Sequence, residues 1–576
     1  MSSGSGESSV TRVRGVVREL MGLQSYPSAV FWADKALCLS GGAVEDVAAM
    51  AGCLLALGEH VRVAALMERH AAVAQDLRCV LLAAKALAMQ QQWEECIQQL
   101  DSSLNQQQQL SSASSASSAS SASSASSSDV QLGGEKRMAS QLWLLRGRCC
   151  EATGSREQAA DAYRKALSLD AFCYEAFELL VERNLFVEKE KEKETLIFEA
   201  EETKEKEAEA AERKMGEVAL QRTRDLLEAI PMEEGCPWVR TLYACKVWQC
   251  GEGRGGEALD MPPLPAAFRG NSLVVAAKAE RAFCADQHQE AYELAKQVIE
   301  GDPHHSPAAV AVYVSCLVEL ERANELYYCA HKLVQGSPGQ AVAWYAVGAY
   351  YHLVGRFHHA RRYFNRAVEV DASFGPTWIG FGHSFSSQGE PDQALAAYYS
   401  ASRIMPASHV PLLYIAMEYR RLANHRLATT FLHRSAALCA TDPLLWSEHG
   451  VNAYLEEDYH AAIRHFEHCL TLLHTTTATN HQNNHQASSW EPVLFNLAHC
   501  HRKLGHHLHA RDYYRQCIAI QQKATTYTAL GFVEHLLGRL DLAIDNYHHA
   551  LSMASGDTIA NGLLDRAIKE SLRLSR

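Results

Sequence analysis

Three glycines, Gly251, Gly253 and Gly256, have the G-x-G-x-x-G spacing that lets a backbone approach the pyrophosphate of a dinucleotide. Such a site needs a strand before the motif and a helix that opens at its end. Here the residues before Gly251 end a helical pattern, and a Met-Pro-Pro run follows at 261–263. The spacing therefore indicates a loop, and we expect no cofactor.

Histidine is the other residue type that could do chemistry, with 28 copies in the chain. Closely spaced histidines include those at 358–359, 506–509 and 548–549. Adjacent histidines in a helix point about 100° apart and cannot share an ion, and no cysteine or carboxylate lies at zinc-ligand spacing from them. His465 and Cys469 are four residues apart, but Cys469 has the position of a small buried residue. We predict no metal site.

A serine or cysteine nucleophile would need a positioned base and an oxyanion site, and nothing in the sequence marks one. The chain contains neither the G-x-S-x-G elbow nor the P-loop motif. We therefore expect a protein that is not an enzyme.

The bulk composition limits the compartment and the kinds of partner. The 54 basic and 67 acidic side chains give a net charge of −13, and nucleic-acid binding relies on clustered Lys and Arg. The 17 cysteines include no C-x-x-C pair, which favours a reducing compartment. The N-terminus lacks a signal-peptide pattern, and the most apolar stretch, 47–58, is too short to span a bilayer. We expect neither a nucleic-acid partner nor a membrane.

The elements that position these residues follow from two segments, 34 residues apart, that nearly repeat each other. The matching pairs are Trp344 and Trp378, Gly348 and Gly382, Ala360 and Ala394, and Phe364 and Tyr398. This is the tetratricopeptide pattern, in which each repeat is a pair of antiparallel helices. Such pairs stack into a superhelix with a concave groove, because one pair cannot bury its apolar stripe alone. The sequence predicts an all-α tetratricopeptide solenoid.

The repeats continue beyond this first pair. Position 8 of the first helix must be a small residue so that the second helix can approach closely. In the repeats that follow Gly348 and Gly382, this position is occupied by Ala416, Gly450, Ala498 and Gly531. Position 20, in the second helix, is small for the same reason. In the same four repeats it is occupied by Ala428, Ala462, Ala510 and Ala543. With weaker units upstream, we expect about 11 to 13 helix pairs.

Composition shifts divide the chain into segments. We predict an N-terminal tail and first helix (1–25), degenerate repeats (26–100), a disordered Gln/Ser/Ala linker (101–139), one repeat (140–187), a charged helical insert and helix (188–234), a Gly/Pro loop (235–270), a C-terminal repeat array (271–555) with an insert at 475–489, and a capping helix or tail (556–576). The linker carries too little apolar surface to fold alone.

The concave groove is where an array of this kind binds, and positions 5, 9 and 12 of the first helices chiefly line it. The candidate partner-binding residues are Tyr345, His352, Ile379, His383, Leu413, Met417, Arg420, Tyr454, Phe495, His499, Arg502 and Phe532. A clamp for the acidic tail of a chaperone needs Lys at position 5 and Asn at position 9, which none of the six clear units has. This mainly apolar and aromatic set favours an extended or helical peptide over plain solvent exposure.

Five blocks closely resemble the cell division cycle protein 16 family, tetratricopeptide scaffold subunits of the anaphase-promoting complex, or cyclosome. They are Ser28–Lys35, Ala323–Val334, Phe374–Phe385, Pro411–Tyr419 and Trp490–Leu504. The resemblance runs in the same order from about residue 26 to 554.

This resemblance implies a non-catalytic arm of a multi-subunit RING-type ubiquitin ligase that acts in mitosis. It implies a nuclear and cytoplasmic location, with association to the spindle in mitosis. Among the partners would be neighbouring tetratricopeptide subunits and a small subunit whose N-terminal segment threads the groove of 344–532. The N-terminal repeats, within about 26–170, would form a two-fold homodimer.

Two other classes of protein carry such arrays. In the glycosyltransferase that modifies Ser and Thr with N-acetylglucosamine, the repeats precede an α/β catalytic domain of several hundred residues, whereas 21 residues follow Ser555 here. An adaptor for a chaperone or for transport is the second alternative, and micromolar binding of a chaperone-tail peptide would favour it.

Overall fold

A computed structural model describes residues 4–70, 76–117, 128–183, 185, 225, 227–228, 230, 238–250, 264–268, 270–301, 306–477 and 487–574. Within these ranges the chain forms 27 α-helices and one short 3₁₀ helix, and no strand. The chain divides into two compact units, Met1–Lys191 with Arg222–Tyr243, and Glu192–Gln221 with Ala244–Arg576. The all-α prediction is confirmed.

Over its described residues, the first unit contains nine complete helices. They are α1 (Gly4–Gly22), α2 (Tyr26–Ser40), α3 (Val44–Ala56), α4 (His60–Arg69), α5 (Leu77–Met89), α6 (Trp93–Ser117), α7 (Ser128–Ala152), α8 (Arg156–Leu169) and α9 (Tyr174–Glu182). The division between the units falls inside the next helix, α10 (Trp238–Cys250).

The second unit continues with seventeen helices after the 3₁₀ helix Ala266–Phe268. They are α11 (Ser272–Cys284), α12 (His288–Gly301), α13 (Pro307–Glu319), α14 (Ala323–Gly336), α15 (Ala341–Leu353), α16 (Phe357–Val370), α17 (Gly375–Ser386), α18 (Pro391–Ile404), α19 (Val410–Arg421), α20 (His425–Leu438), α21 (Pro443–Leu455), α22 (Tyr459–Thr477), α23 (Ala487–Lys503), α24 (His507–Ile520), α25 (Ala524–Leu536), α26 (Leu540–Met553) and α27 (Thr558–Leu574).

In five of the described repeats, an aromatic ring of the second helix lies directly over a glycine of the first helix. A Cβ atom on Gly382 would lie 2.3 Å from Cε1 of Tyr398, and one on Gly348 would lie 2.6 Å from the ring of Phe364. The same relation joins Gly147 to Tyr163, Gly450 to Phe466 and Gly531 to Tyr547. The predicted position-20 alanines Ala360, Ala394, Ala428, Ala462, Ala510 and Ala543 are all fully buried. Close approach of the helices therefore explains the small residues at both positions.

The turn within each repeat has the same backbone form. The residue at position 15, seven after position 8, has positive φ: 76° at Gly355 and Gly389, 59° at Ala423 and 66° at Glu457. Six glycines and six other residues adopt this conformation between paired helices of the described chain. They are Gln24, Gly58, Gln91, Gly154, Asp286, Glu321, Gly355, Gly389, Ala423, Glu457, Gly505 and Gly538. The described residues therefore contain twelve helix pairs, a number within the predicted range of 11 to 13.

The tryptophan at position 4 fixes the loop that precedes its repeat. The indole Nε1 of Trp344 donates to the carbonyl of Pro338 at 2.9 Å, and that of Trp378 donates to the carbonyl of Ala372 at 3.0 Å. Each bond spans six residues, so it ties the end of one repeat to the first helix of the next. Trp446 makes the same bond to Ala440.

The array begins earlier than the sequence predicted. Helix α1, assigned to the 1–25 segment, pairs with α2 around Gln24. Val17 is buried there in one apolar cluster with Ala33 and Val47. A valine stands at position 8 of this pair, where the six clear C-terminal repeats have glycine or alanine, so the sequence signal was weak.

The linker predicted at 101–139 is partly helical, which corrects that boundary. Helix α6 continues to Ser117, and α7 starts at Ser128, before the predicted repeat. Leu104 is buried, and Asp101 forms an ion pair with Arg146 at 2.5 Å. Contacts with a neighbouring helix therefore extend α6 past the point where composition suggested disorder. Residues 118–127 lie outside the described part.

Part of the range 235–270, where we predicted a Gly/Pro loop, is a helix, α10 (Trp238–Cys250). Helix α10 is held by tertiary contacts, since the Tyr243 ring stacks on Phe177 at 4.2 Å and its hydroxyl donates to the carbonyl of Ala171 at 2.6 Å. The G-x-G-x-x-G motif at 251–256 lies outside the described residues, as does most of the 188–234 insert. At the 475–489 insert, α22 and α23 reach in from both sides to Thr477 and Ala487, and 478–486 is not described.

Replacement of Gly382 by alanine tests the ring-over-glycine contact. The added methyl group would overlap the Tyr398 ring, so we expect the variant to lose about 1–3 kcal/mol and the amides of α17 and α18 to exchange faster with solvent. Hydrogen exchange read by mass spectrometry on the full chain measures this locally.

The matched control is Gly562→Ala in α27, where nothing lies within 4 Å of the new Cβ atom. This variant should exchange at the wild-type rate or more slowly, because alanine favours the helix by up to about 1 kcal/mol. Equal exchange of α17 in both variants would show that the methyl group meets no obstacle at Gly382.

Candidate functional site

The first helices of consecutive repeats contact one another directly. Examples are the contacts of α13 with α15, of α15 with α17 and of α21 with α23. We call the surface of α15, α17, α19, α21, α23 and α25 the first-helix face. Ten of the twelve candidate groove residues are partly exposed there: His352, Ile379, His383, Met417, Arg420, Tyr454, Phe495, His499, Arg502 and Phe532. This face is the candidate site for a peptide.

Two of the candidates, Tyr345 and Leu413, are buried in the core, which corrects their assignment. The Tyr345 ring lies 6.0 Å from that of Phe364 and 5.8 Å from that of Phe374, so the next repeat covers it. Its hydroxyl lies 3.3 Å from Ser315 Oγ. Position 5 therefore belongs to the interface between repeats here and is closed to a partner.

Two histidines at position 9 are bound to a tyrosine at position 24 of the same repeat. Nδ1 of His383 lies 2.9 Å from the hydroxyl of Tyr398, and His499 makes the same bond to Tyr514. Burial lowers the pKa of His383 to about 3, aided by nearby His352. Burial, with Arg502 and Lys503 beside it, lowers the pKa of His499 to about 4. Both imidazoles are therefore neutral at pH 7, and each has one nitrogen committed inside the repeat.

Polar contacts join neighbouring first helices, which the sequence did not reveal. Ser386 Oγ donates to Oε1 of Glu418 at 2.5 Å, joining α17 to α19. Arg420 pairs with Glu448 at 2.9 Å, joining α19 to α21. Burial raises the pKa of Glu448, although Arg420 opposes that effect. The two residues of each pair are 32 and 28 residues apart, which is about the length of one repeat. That spacing is the sequence signal that could have predicted these contacts. The face is therefore more polar than the predicted apolar groove.

The structure brings the candidates together in two places. His352 and His383 have ring centroids 6.3 Å apart, and His383 lies edge-on to Tyr414 at 4.4 Å. Further along, Phe495 lies 4.4 Å from His499, and the guanidinium carbon of Arg502 lies 5.5 Å from the Phe532 ring. Aromatic edges beside a cation can hold apolar side chains and carbonyl groups of an extended chain.

The structure also bears on metal binding and on membrane insertion. Among the described residues, no group of three or more His, Cys, Asp or Glu side chains is arranged to hold a metal ion. Over the same residues, no helix has the length and apolar character needed to cross a bilayer.

Comparison with known proteins identifies the family. The tetratricopeptide repeat model matches residues 140–173, 341–374 and 491–523, and the model for subunit 3 of the anaphase-promoting complex, or cyclosome, matches 23–103. The human cell division cycle protein 16 homolog is 32% identical over 97% of this chain and 84% of its own length. The chain belongs to the cell division cycle protein 16 family. Anaphase-promoting complex subunit 6 of Arabidopsis thaliana is also 32% identical, over 98% of this chain and 97% of its own.

A solved structure agrees with that assignment. The crystal structure of the Cut9–Hcn1 hetero-tetramer of the anaphase-promoting complex contains a chain that is 26% identical to this family member, with a TM-score of 0.71. The match covers 97% of this chain and 96% of the other. The resemblance found in the sequence blocks and the tetratricopeptide solenoid are both confirmed. The relatives are subunits of the anaphase-promoting complex with this fold.

The lowered pKa of His383 should make stability depend on pH. Its pKa falls from 6.5 to about 3 on folding, so between those values the unfolded chain binds a proton that the folded chain does not. Stability present above pH 6.5 is therefore lost on acidification, by at most about 1.4 kcal/mol per pH unit for this group. We expect the thermal midpoint of His383→Gln to fall less between pH 7 and pH 5 than that of the wild type.

The control is His548→Gln, at an exposed histidine of α26. It should keep the wild-type dependence on pH, measured by circular dichroism. An identical slope for both variants would show that His383 does not titrate differently in the two states.

Proposed function

We propose that this chain is a non-catalytic scaffold subunit of the anaphase-promoting complex, a multi-subunit RING-type ubiquitin ligase that acts in the cell cycle. The observation that carries the proposal is the similarity to subunits of that complex over 97% of the chain. The described residues support the scaffold role, because each of the two units consists of consecutive helix pairs. The work of such a chain is to hold partners, in the nucleus and cytoplasm and on the mitotic spindle.

The first-helix face would bind a small peptide-like subunit in an extended form. Support comes from the aromatic and cationic cluster of Phe495, His499, Arg502 and Phe532, and from the relative solved together with a second protein, Hcn1. Neutral His383 and His499 suit a peptide that brings no strong charge of its own to position 9. Neighbouring tetratricopeptide subunits would dock elsewhere on the array.

The N-terminal unit would join two copies of the chain. Its helices expose large apolar side chains, including Phe31 at 57% and Trp32 beside it with ring centroids 5.3 Å apart. Val61 and Met89 are also exposed. Apolar groups this exposed favour a protein interface.

Purification from mitotic cells tests the scaffold role together with the groove. We expect the tagged wild-type chain to recover a large assembly that builds ubiquitin chains. A variant with Arg502→Glu and Phe532→Ala should recover the large subunits but at least about tenfold less of any small subunit, because it loses an aromatic contact and reverses a charge.

The matched control for that variant is Leu508→Glu, at an exposed position of the second helix α24. It should recover every component. Recovery of chaperones alone, without ligase activity, would overturn the scaffold role, and full recovery of a small subunit by the double variant would place its site elsewhere.

Self-association can be tested with one exposed residue of the first unit. Phe31→Glu places a carboxylate where the proposed interface excludes water, so light scattering should show a monomer at a concentration at which the wild type is dimeric. Leu508, exposed to a similar 54%, lies in the second unit, so Leu508→Glu should remain a dimer. A dimeric Phe31→Glu variant would remove Phe31 from the interface.

A further inference from the structure

Six aromatic rings form a continuous series across α14, α15 and α16. Tyr328 lies 5.8 Å from Tyr327, which lies 5.4 Å from Tyr350. Tyr350 lies 5.4 Å from Tyr351, and Tyr351 stacks on Tyr363 at 5.3 Å. Tyr363 in turn stacks on Trp344 at 6.1 Å, with the planes 5° apart. The rings of three helices therefore form one surface.

The outer end of this series is exposed and takes no part in the core. Tyr327 is 48% and Tyr328 72% exposed. The residues by which α14 packs into the repeat are Leu326, Ala330 and Leu333, all buried. The fold therefore does not need two adjacent tyrosines here, and contiguous exposed aromatics are typical of interaction sites.

Three exposed cations stand beside these rings. Lys332 is four residues after Tyr328 on α14, and Arg362 and Arg366 are four residues apart on α16, flanking Tyr363. The guanidinium carbon of Arg366 lies 4.5 Å over the Trp344 ring. We call Tyr327, Tyr328, Lys332, Arg362 and Arg366 the aromatic–basic patch.

The positive charge of this patch is not neutralised by the chain. Over the described residues, no ion pair is formed by Lys332, Arg362 or Arg366. The one acid of α16, Glu369, accepts a hydrogen bond from Asn365 at 2.8 Å. Other arginines of the array have partners, as Arg361 has Glu390 and Arg420 has Glu448. In a chain with net charge −13, these three cations make a locally positive surface.

We propose that the aromatic–basic patch docks an extended acidic segment of a partner protein. Carboxylates would pair with Arg362, Arg366 and Lys332, and apolar side chains between them would lie on Tyr327 and Tyr328. An arginine stacked on an indole keeps its N–H edges free, so Arg366 can bind a carboxylate with two hydrogen bonds while it remains over Trp344.

Charge decides between this occupant and a nucleic acid. Three cations match a segment with three carboxylates, whereas a nucleic-acid strand needs a longer basic track to offset repulsion from a chain of net charge −13. The five residues of the patch lie on the second helices α14 and α16, so the patch is separate from the first-helix face. The inference does not depend on the proposed role in a ubiquitin ligase.

Binding of a defined polyanion to the full chain tests the proposal. The probe is a fluorescein-labelled random copolymer of Glu and Tyr, followed by fluorescence anisotropy at low and at physiological salt. We expect Arg362→Glu with Arg366→Glu to weaken binding at least tenfold, and Tyr327→Ala with Tyr328→Ala to weaken it several-fold without any change of charge.

Two control variants show whether a loss of binding is specific to the patch. Arg426→Glu changes an exposed arginine of α20 outside the patch and should bind nearly as the wild type does. Leu508→Glu should also bind normally, because this exposed residue of α24 lies outside the patch. If either control variant lost as much affinity for the copolymer as the patch variants do, the proposal would be overturned. It would also be overturned if the wild-type chain did not bind the copolymer.

The other occupants are tested by a second probe and by cross-linking. A labelled oligo(U) that binds more tightly than the copolymer, and is released by the Arg362→Glu, Arg366→Glu variant, would make the patch a nucleic-acid surface and overturn the proposal. A photoreactive phenylalanine analogue in place of Tyr328, in the full chain within its native assembly, should cross-link to a peptide rich in Asp and Glu. A cross-link to a second copy of this chain would contradict it.

Discussion

The close contact between an aromatic ring of one helix and a residue without a side chain on its partner is the constraint on which the rest of the array depends. At Gly382 the space for a methyl group is already taken by Tyr398, and the same holds from Gly147 to Gly531. Since the ring sets how near the helices come, it also sets where position 20 must be alanine and where the chain must turn. The left-handed residue seven positions after position 8 follows even where it is Ala423 or Glu457, so the geometry prevails over local preference.

Apolar contacts hold each repeat together, and polar contacts add to the junctions between repeats. One apolar cluster runs from Ala279 in α11 to Phe364 in α16, so several repeats share a core. On the first-helix face, a hydrogen bond from Ser386 to Glu418 and an ion pair between Arg420 and Glu448 also join consecutive repeats. Partly buried pairs of this kind add little net stability, but leaving one partner alone is costly. They therefore favour one register between repeats, which keeps a binding surface in a fixed geometry.

The two sides of the second unit offer different chemistry to partners. On the first-helix face, His383 and His499 are neutral and bound to tyrosines, Arg420 is paired with Glu448, and Arg502 lies over the Phe532 ring. On the outer helices α14 and α16, arginine and lysine keep free charge beside exposed tyrosines. The proposed small subunit and the proposed acidic segment would therefore occupy different helices and would not compete for one surface.

The sequence by itself determined the fold class, the positions of the small residues and the family, because repeat contacts are local and recur about every 34 residues. It determined less about the site. Tyr345 and Leu413 are at groove positions by count, yet the following repeat buries them. The helix at Trp238–Cys250 was hidden in a Gly/Pro-rich stretch, since its stability comes from Phe177 and Ala171, more than 60 residues away. Burial and pairing across repeats depend on how neighbouring helices pack, and a periodic pattern in one chain segment carries no record of that packing.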